Sequence, residues 1–210
     1  MKIAYVFFNG QLEGSKEFYT KLINKKKGDI YCADGGAVHL EALGIFPLEI
    51  WGDLDSVTKE ITEKYRNNNV IIKKFPKNKD YTDGELILQY ISKLNYDEIF
   101  IIGGLGGRID HSLTNLNLIF KFKNLIFVTE KEKIFSIEKK AELIGLKGKT
   151  VSFIPFSEKV EKLTLEGFKY PLNEYTLHQG DSICMSNIAV DDKCRVTFNT
   201  GKLMGVVLSE

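Results

Sequence analysis

Ile99-Phe100-Ile101-Ile102-Gly103-Gly104-Leu105-Gly106-Gly107-Arg108-Ile109-Asp110-His111-Ser112 joins an apolar run to four glycines in five positions, and then to an arginine, an aspartate and a histidine that open a helical pattern. A strand that crosses into a helix through such a loop has backbone N–H groups free of side-chain cover, which lets an anion approach them near a helix N-terminus. The loop has neither the Lys-Ser/Thr ending of a P-loop nor a full dinucleotide fingerprint. Alone it specifies a phosphate-sized anion and no more. The same rhythm of short apolar run, glycine or acid, then helical period recurs on either side of it. Candidate strands are Ile3–Phe8, Ile30–Ala33, Leu48–Trp51, Val70–Phe75, Ile99–Ile102 and Leu125–Val128, with helices such as Ser15–Lys25 and Ser56–Asn67 between them. Alternation of this kind predicts an α/β fold with a mostly parallel, Rossmann-like sheet flanked by helices on both faces.

From about Lys133 the pattern becomes near-alternating: Val151 to Ile154, Val160 to Leu165, Cys194 to Phe198, Leu203 to Leu208. Period-two patterning predicts a small all-β sandwich, so the expected domains are residues 1–132 and 133–210. Asn199-Thr200-Gly201 reads as the turn of a hairpin between the last two runs.

Twenty-nine Lys and Arg against 28 Asp and Glu give a net charge of +1, without the footprint of a general nucleic-acid binder. Three widely spaced cysteines, Cys32, Cys184 and Cys194, fit neither a disulfide framework nor a zinc site. They are expected as reduced thiols of a cytoplasmic protein. The opening run Met1 to Phe8 reads as a first strand rather than a signal segment, and no run approaches the length of a membrane span.

Ligands of an open parallel sheet bind beyond the carboxyl ends of its strands. There the chain places Asp34-Gly35-Gly36, Gly52-Asp53-Leu54-Asp55-Ser56, Lys79-Asp80-Tyr81-Thr82-Asp83 and the glycine loop. Asp53 and Asp55 lie two apart, so both carboxylates can point the same way, as a hard divalent cation requires; Asp80 and Asp83 add two more. Capping is the competing reading. Asp55 or Ser56 serves equally as the N-cap of a helix beginning near Ser56, and Thr82-Asp83-Gly84-Glu85 is a capping box. Arg108 offers a planar fork for phosphate oxygens. Asp110 either caps the following helix or faces the ligand, and His111 reaches a phosphate or a hydroxyl from the first turn. His39 and His178 are read as structural.

Taken together, Ala33 to Ala37, Gly52 to Ser56, Lys79 to Glu85, and Gly103 to Ser112 with Asn115 resemble the thiamine pyrophosphokinase family in the family's order. Gly148 to Pro155, Gly167 to Leu172 and Ser186-Asn187 extend the resemblance into the second domain. It implies an N-terminal domain binding ATP and Mg²⁺, a C-terminal sandwich binding thiamine, and a homodimer with active sites between subunits. By the resemblance, Asp53, Asp55 and Asp83 hold the metal, with Asp80 close by. Asp34, Gly35, Gly36, Lys79, Thr82, Gly104, Gly106, Gly107, Arg108 and His111 face ATP, while Asp110, Ser186 and Asn187 face thiamine. Family members often carry an aromatic or acidic residue soon after the Ser-Asn pair. Here Ile188-Ala189-Val190 follows, which leaves the stacking partner of the thiamine rings unassigned.

Two other readings start from the same residues. Asp53-Leu54-Asp55-Ser56-Val57 also resembles the nucleophile motif of haloacid-dehalogenase-like phosphatases, although that motif normally ends the first strand of its domain and here ends the third. A nucleotide-binding sensor without turnover is the other.

Overall fold

A computed structural model describes residues 1–76 and 80–209. The chain divides into two compact units, Met1–Glu130 and Lys131–Glu210. The first unit runs β1 (Ile3–Phe7), α1 (Lys16–Lys25), β2 (Asp29–Ala33), α2 (Gly36–Leu43), β3 (Glu49–Gly52), α3 (Lys59–Asn67), β4 (Ile71–Lys74), α4 (Asp83–Ile91), β5 (Glu98–Ile102), α5 (Ile109–Asn117) and β6 (Leu125–Val128). Its strands lie in the order β6-β5-β1-β2-β3-β4, and every neighbouring pair is parallel.

Every residue of β1 is buried, as expected of a strand covered on both faces. On one face Tyr5, Phe7, Cys32, Ile50 and Phe100 share a core with Tyr19, Leu40 and Tyr65 from the helices. Three of the helices, α1, α3 and α4, start on short polar caps: Ser15 accepts from Phe18 N–H, Thr58 from Ile61 N–H and Thr82 from Glu85 N–H. This corrects the expected start of α3. Its cap is Thr58, so neither Asp55 nor Ser56 is a helix cap.

The strand order steps outward from β1 to β4 and then returns to place β5 on the other side of β1. Beyond the carboxyl ends of β1 and β5 the connections therefore diverge and leave a crevice, the usual position of a ligand site in such sheets.

In the second unit the strands are β7 (Glu132–Ile137), β8 (Lys140–Ile144), β9 (Thr150–Pro155), β10 (Lys159–Glu166), β11 (Leu172–His178), β12 (Asn187–Ile188), β13 (Lys193–Thr197) and β14 (Leu203–Leu208). They form two antiparallel layers, β12-β9-β14-β7 and β11-β10-β13-β8. Val151, Phe153 and Leu203 from the first layer share one core with Val160, Leu163, Leu177 and Val196 from the second, which makes a sandwich. The expected hairpin at Asn199-Thr200-Gly201 is not one. β13 pairs with β10 and β8, whereas β14 pairs with β7 and β9, so this turn carries the chain from one layer to the other.

Among the described residues, no helix is long and apolar enough to cross a membrane.

Candidate active site

A cavity of about 460 Å³ opens in the crevice of the first unit. Phe8, Asn9, Gly10 and Gln11 line it from the end of β1, Ala33 and Asp34 from β2, Thr82, Asp83 and Gly84 from the start of α4, and Gly104, Gly106, Gly107, Arg108, His111 and Asn115 from the glycine loop and α5. Two helix N-termini therefore meet one cavity, the positive ends of two helix dipoles, which favour negative charge.

The glycines let the strand ends close on one another. Gly10 N–H donates to Gly103 O at 2.7 Å, and a Cβ on Gly10 would lie 2.3 Å from that oxygen. Gly103, Gly106 and Gly107 have φ of 69°, 80° and 71°, in the left-handed region where a side chain is strained. Asn115 Nδ2 donates to Gly104 O at 2.7 Å and ties the loop to the helix it opens. His39 donates from Nε2 to Gly10 O at 2.7 Å, the structural role expected of it.

At the other end of the site Asp34, Asp53 and Asp55 each offer a carboxylate oxygen, all within 4.8 Å of one another. Asp34 (φ 42°) and Leu54 (φ 63°) both hold left-handed backbone, a cost of about 1–3 kcal/mol each that the surrounding structure must offset. Asp34 N–H donates to Trp51 O at 2.8 Å, and Asp55 N–H donates to Asp53 Oδ1 at 3.0 Å, which fixes both loops. Asp34 Oδ1 is shielded from solvent and, among the described residues, accepts no hydrogen bond. A buried carboxylate oxygen without a donor, in a set of oxygen-only ligands, suits a hard divalent cation.

Arg108 and Asp110 are arranged differently. The guanidinium forks onto the carboxylate, Nε to Oδ1 at 3.1 Å and Nη2 to Oδ2 at 2.5 Å, and Asp110 Oδ1 also accepts from His111 N–H at 3.0 Å. Hydrogen bonding from Arg108 holds the Asp110 carboxyl below the usual carboxylate range and raises the guanidinium's own pKa. Asp110 is not the N-cap of α5; the residue at that position is Arg108, which makes no side-chain capping bond.

The structure thus brings Asp34, Thr82, Asp83, Gly104, Gly106, Gly107, Arg108 and His111 to one cavity, and Asp53 and Asp55 to Asp34. Gly35 and Gly36 do not line it. A Cβ on Gly35 would lie 2.1 Å from Asn9 Oδ1, and one on Gly36 2.3 Å from Phe7 O, so these glycines let α2 start close to β1. Asp80 is exposed, and Lys79 lies outside the described residues. In the second unit Ser186 has a left-handed φ of 53°, and its N–H donates to Ser152 Oγ at 2.9 Å. Asn187 is 2 % exposed. Its amide bonds the backbone of Tyr170 at both N–H and C=O and the N–H of Ile188. The residues not anticipated are Asn9, Gly10 and Gln11, whose signal is the Asn-Gly pair that ends the first apolar run.

Comparison with known proteins agrees with this geometry. The profile described as "Thiamin pyrophosphokinase, catalytic domain" matches residues 19–129, and "Thiamin pyrophosphokinase, vitamin B1 binding domain" matches residues 132–204. A protein named thiamine pyrophosphokinase from Bacillus subtilis is 34% identical over 177 residues, covering 81% of this chain and 83% of its own. A crystal structure of thiamine pyrophosphokinase from Bacillus subtilis superposes with a TM-score of 0.85 at 29% identity, covering 100% of both chains. One of thiamin pyrophosphokinase from Geobacillus thermodenitrificans gives 0.85 at 26% identity, over 99% of this chain and 98% of that one. With both profiles matched in order along most of its length, the chain belongs to the thiamin pyrophosphokinase family.

Proposed function

We propose that this protein transfers the diphosphoryl group of ATP to the hydroxyl of thiamine, giving thiamine diphosphate and AMP, with Mg²⁺ accompanying the nucleotide. The observation that supports the cation is the buried Asp34 Oδ1, which has no hydrogen-bond partner among the described residues and is grouped with Asp53 and Asp55. These three carboxylates would hold Mg²⁺, and Asp83 faces the cavity from the first turn of α4. Bound there, the ion would neutralise charge on phosphate oxygens.

The protein's own groups do the rest by positioning and by opposing charge, which is most of what transfer of a phosphoryl-type group needs. Backbone N–H groups of the glycine loop and the N-termini of α4 and α5 face the phosphates, and Arg108 turns its fork toward them. The thiamine hydroxyl oxygen attacks the β-phosphorus, and the bond to the oxygen bridging the α- and β-phosphorus breaks, so that AMP leaves with that oxygen. The hydroxyl proton passes to a carboxylate at the cavity wall, a role for which Asp83, lining the cavity, is the candidate. Ser186 and Asn187 serve the thiamine side. Since every bond of the Asn187 amide goes to backbone, that residue acts by holding the Tyr170 segment.

The assembly we infer is a homodimer with active sites between subunits, working in the cytoplasm without nucleic acid or membrane. Light scattering checks the assembly, and a stable, active monomer would contradict it. The reaction is tested by incubating the protein with Mg-ATP and thiamine. AMP and thiamine diphosphate should appear in equal amounts. AMP released at the same rate without thiamine, or ADP in its place, would overturn the reading.

A further inference from the structure

A buried carboxylate sits on β3 where no side chain of its cluster lines the cavity. Glu49 is 8 % exposed. Its Oε2 accepts from Trp51 Nε1 at 2.7 Å and pairs with Lys73 Nζ at 2.9 Å, while Oε1 accepts from the Tyr90 hydroxyl at 3.3 Å. Strand alternation puts Glu49 and Trp51 on one face of β3, and the parallel register sets Lys73 of β4 opposite Trp51. Tyr90 reaches the same face from α4. The Trp51 ring stacks on Phe75 at 5.3 Å and on Tyr90 at 4.9 Å, and the Lys73 ammonium lies 4.5 Å from the Trp51 centroid and 4.3 Å from that of Tyr90.

Well-packed apolar residues would join β3, β4 and α4 at least as firmly as a buried ion pair does, so stability alone does not explain the cluster. What it adds is direction. Trp51 O accepts the Asp34 N–H, and Gly52 O accepts the Phe75 N–H at 3.1 Å. At Gly52 a Cβ would lie only 2.9 Å from Asp34 Cβ, so the strand passes beside that aspartate with no slack. Asp53 and Asp55 follow at once. Any slip of β3 against its neighbours would carry two of the three carboxylates away from the third.

We propose that Glu49, Trp51, Lys73 and Tyr90 form a positioning unit that holds β3 so that Asp53 and Asp55 meet Asp34 around one cation. This rests on the cation reading given above, and the experiment separates the two. Mn²⁺ is titrated into the full-length protein without nucleotide. Free ion is read by electron paramagnetic resonance, while the emission of Trp51, the single tryptophan of the chain, is followed alongside. Wild type should bind saturably. Glu49→Leu should raise the dissociation constant about ten-fold, the lower end of what outer partners of metal ligands contribute. Tyr90→Phe, which removes only the 3.3 Å bond, should raise it about three-fold. In both, KM for thiamine should stay within about two-fold while the Mg²⁺ requirement of turnover rises in parallel with the Mn²⁺ constant. If Glu49→Leu does not fold, Tyr90→Phe decides. Wild-type Mn²⁺ affinity in the folded variants overturns the positioning unit and leaves the cation site standing. No saturable Mn²⁺ binding by wild type overturns both.

Discussion

The two ends of the cavity solve opposite electrostatic problems. At the aspartate end three carboxylates gather beside two left-handed residues, Asp34 and Leu54, and Asp34 Oδ1 is buried with no hydrogen-bond partner among the described residues, an arrangement that costs free energy without a compensating cation. At the glycine end Arg108 and Asp110 satisfy one another in open solvent, their side chains 73% and 60% exposed. One end is preorganised and frustrated; the other is satisfied and free to re-aim. On the reading proposed above, the cation's place would be set by the fold, whereas the phosphate contacts of Arg108 would form by exchange of partners.

The largest effect should come from the preorganised end. Asp53→Asn removes a charge where the fold has brought carboxylates together, and Asp34→Asn does the same to the buried oxygen. Each should lower kcat/KM about a thousand-fold at ordinary Mg²⁺, since the ion's charge stabilisation is worth several kcal/mol. Asp34→Asn should also fold at least as stably as wild type, because it relieves repulsion and adds a donor beside a neighbouring carboxylate. Steady-state kinetics paired with thermal melts checks this. A variant with lost activity and an unchanged Mn²⁺ dissociation constant would break the comparison.

Arg108→Ala comes next. With one fork among several donors lost, kcat/KM for ATP should fall about a hundred-fold, the scale of removing one transition-state contact, with thermal stability unchanged because the pair is solvent-exposed. Activity equal to wild type would return Arg108 to the status of a surface cation.

How much of this was legible in the sequence follows the same division. The strands of the first unit were, because β1 and β5 are apolar on both faces and end at glycine or polar residues. In the second unit β7, β8, β11 and the two-residue β12 are not evident from the sequence pattern. In β8 exposed Lys140, Glu142 and Ile144 alternate with only half-buried Ala141 and Leu143, and β11 is interrupted by Glu174 at φ 46°, near the register shifts in its pairing with β10. The turn at Asn199-Thr200-Gly201 was legible as a turn. Which layer the chain enters afterwards depends on pairing partners distant in sequence, and local turn chemistry does not encode that. At the site the glycine loop announced itself in one contiguous stretch. The aspartate trio did not, since Asp34 joins Asp53 and Asp55 only through the adjacency of β2 and β3, and a resemblance had set it among the phosphate contacts. Taken alone, the Asp53-Leu54-Asp55-Ser56 segment reads equally as a cap or a metal ligand; the second acidic segment beside the glycine loop favours metal, and the N-cap of α3 at Thr58 removes the capping reading.

Gly104→Val tests whether the glycine end depends on tight approach as well as on charge. A Cβ there would lie 2.4 Å from the Phe127 ring, a buried group that cannot easily give way. Overpacking of this kind should destabilise by about 1–3 kcal/mol, a drop of several degrees in Tm. An unchanged Tm would show that the loop moves freely of β6.

The smallest and most specific effect concerns Asp110. Because Arg108 lowers its carboxyl pKa in the folded protein, the pair contributes fully above the ordinary aspartate value of about 3.9, and the contribution is lost only as the pH falls through the lowered value. At neutral pH the fork is therefore intact, and on the reading proposed above it would compete with phosphate for Arg108. Asp110→Asn should lower KM for ATP about two- to three-fold while kcat changes by less than about two-fold, in keeping with the modest strength of an exposed ion pair. Were Asp110 the proton acceptor, kcat would fall by about a hundred-fold or more. Carboxylate NMR gives an independent reading. The Asp110 midpoint should lie below the ordinary value in wild type and return upward in Arg108→Gln, and a midpoint indifferent to residue 108 would mean that the fork does not persist in solution.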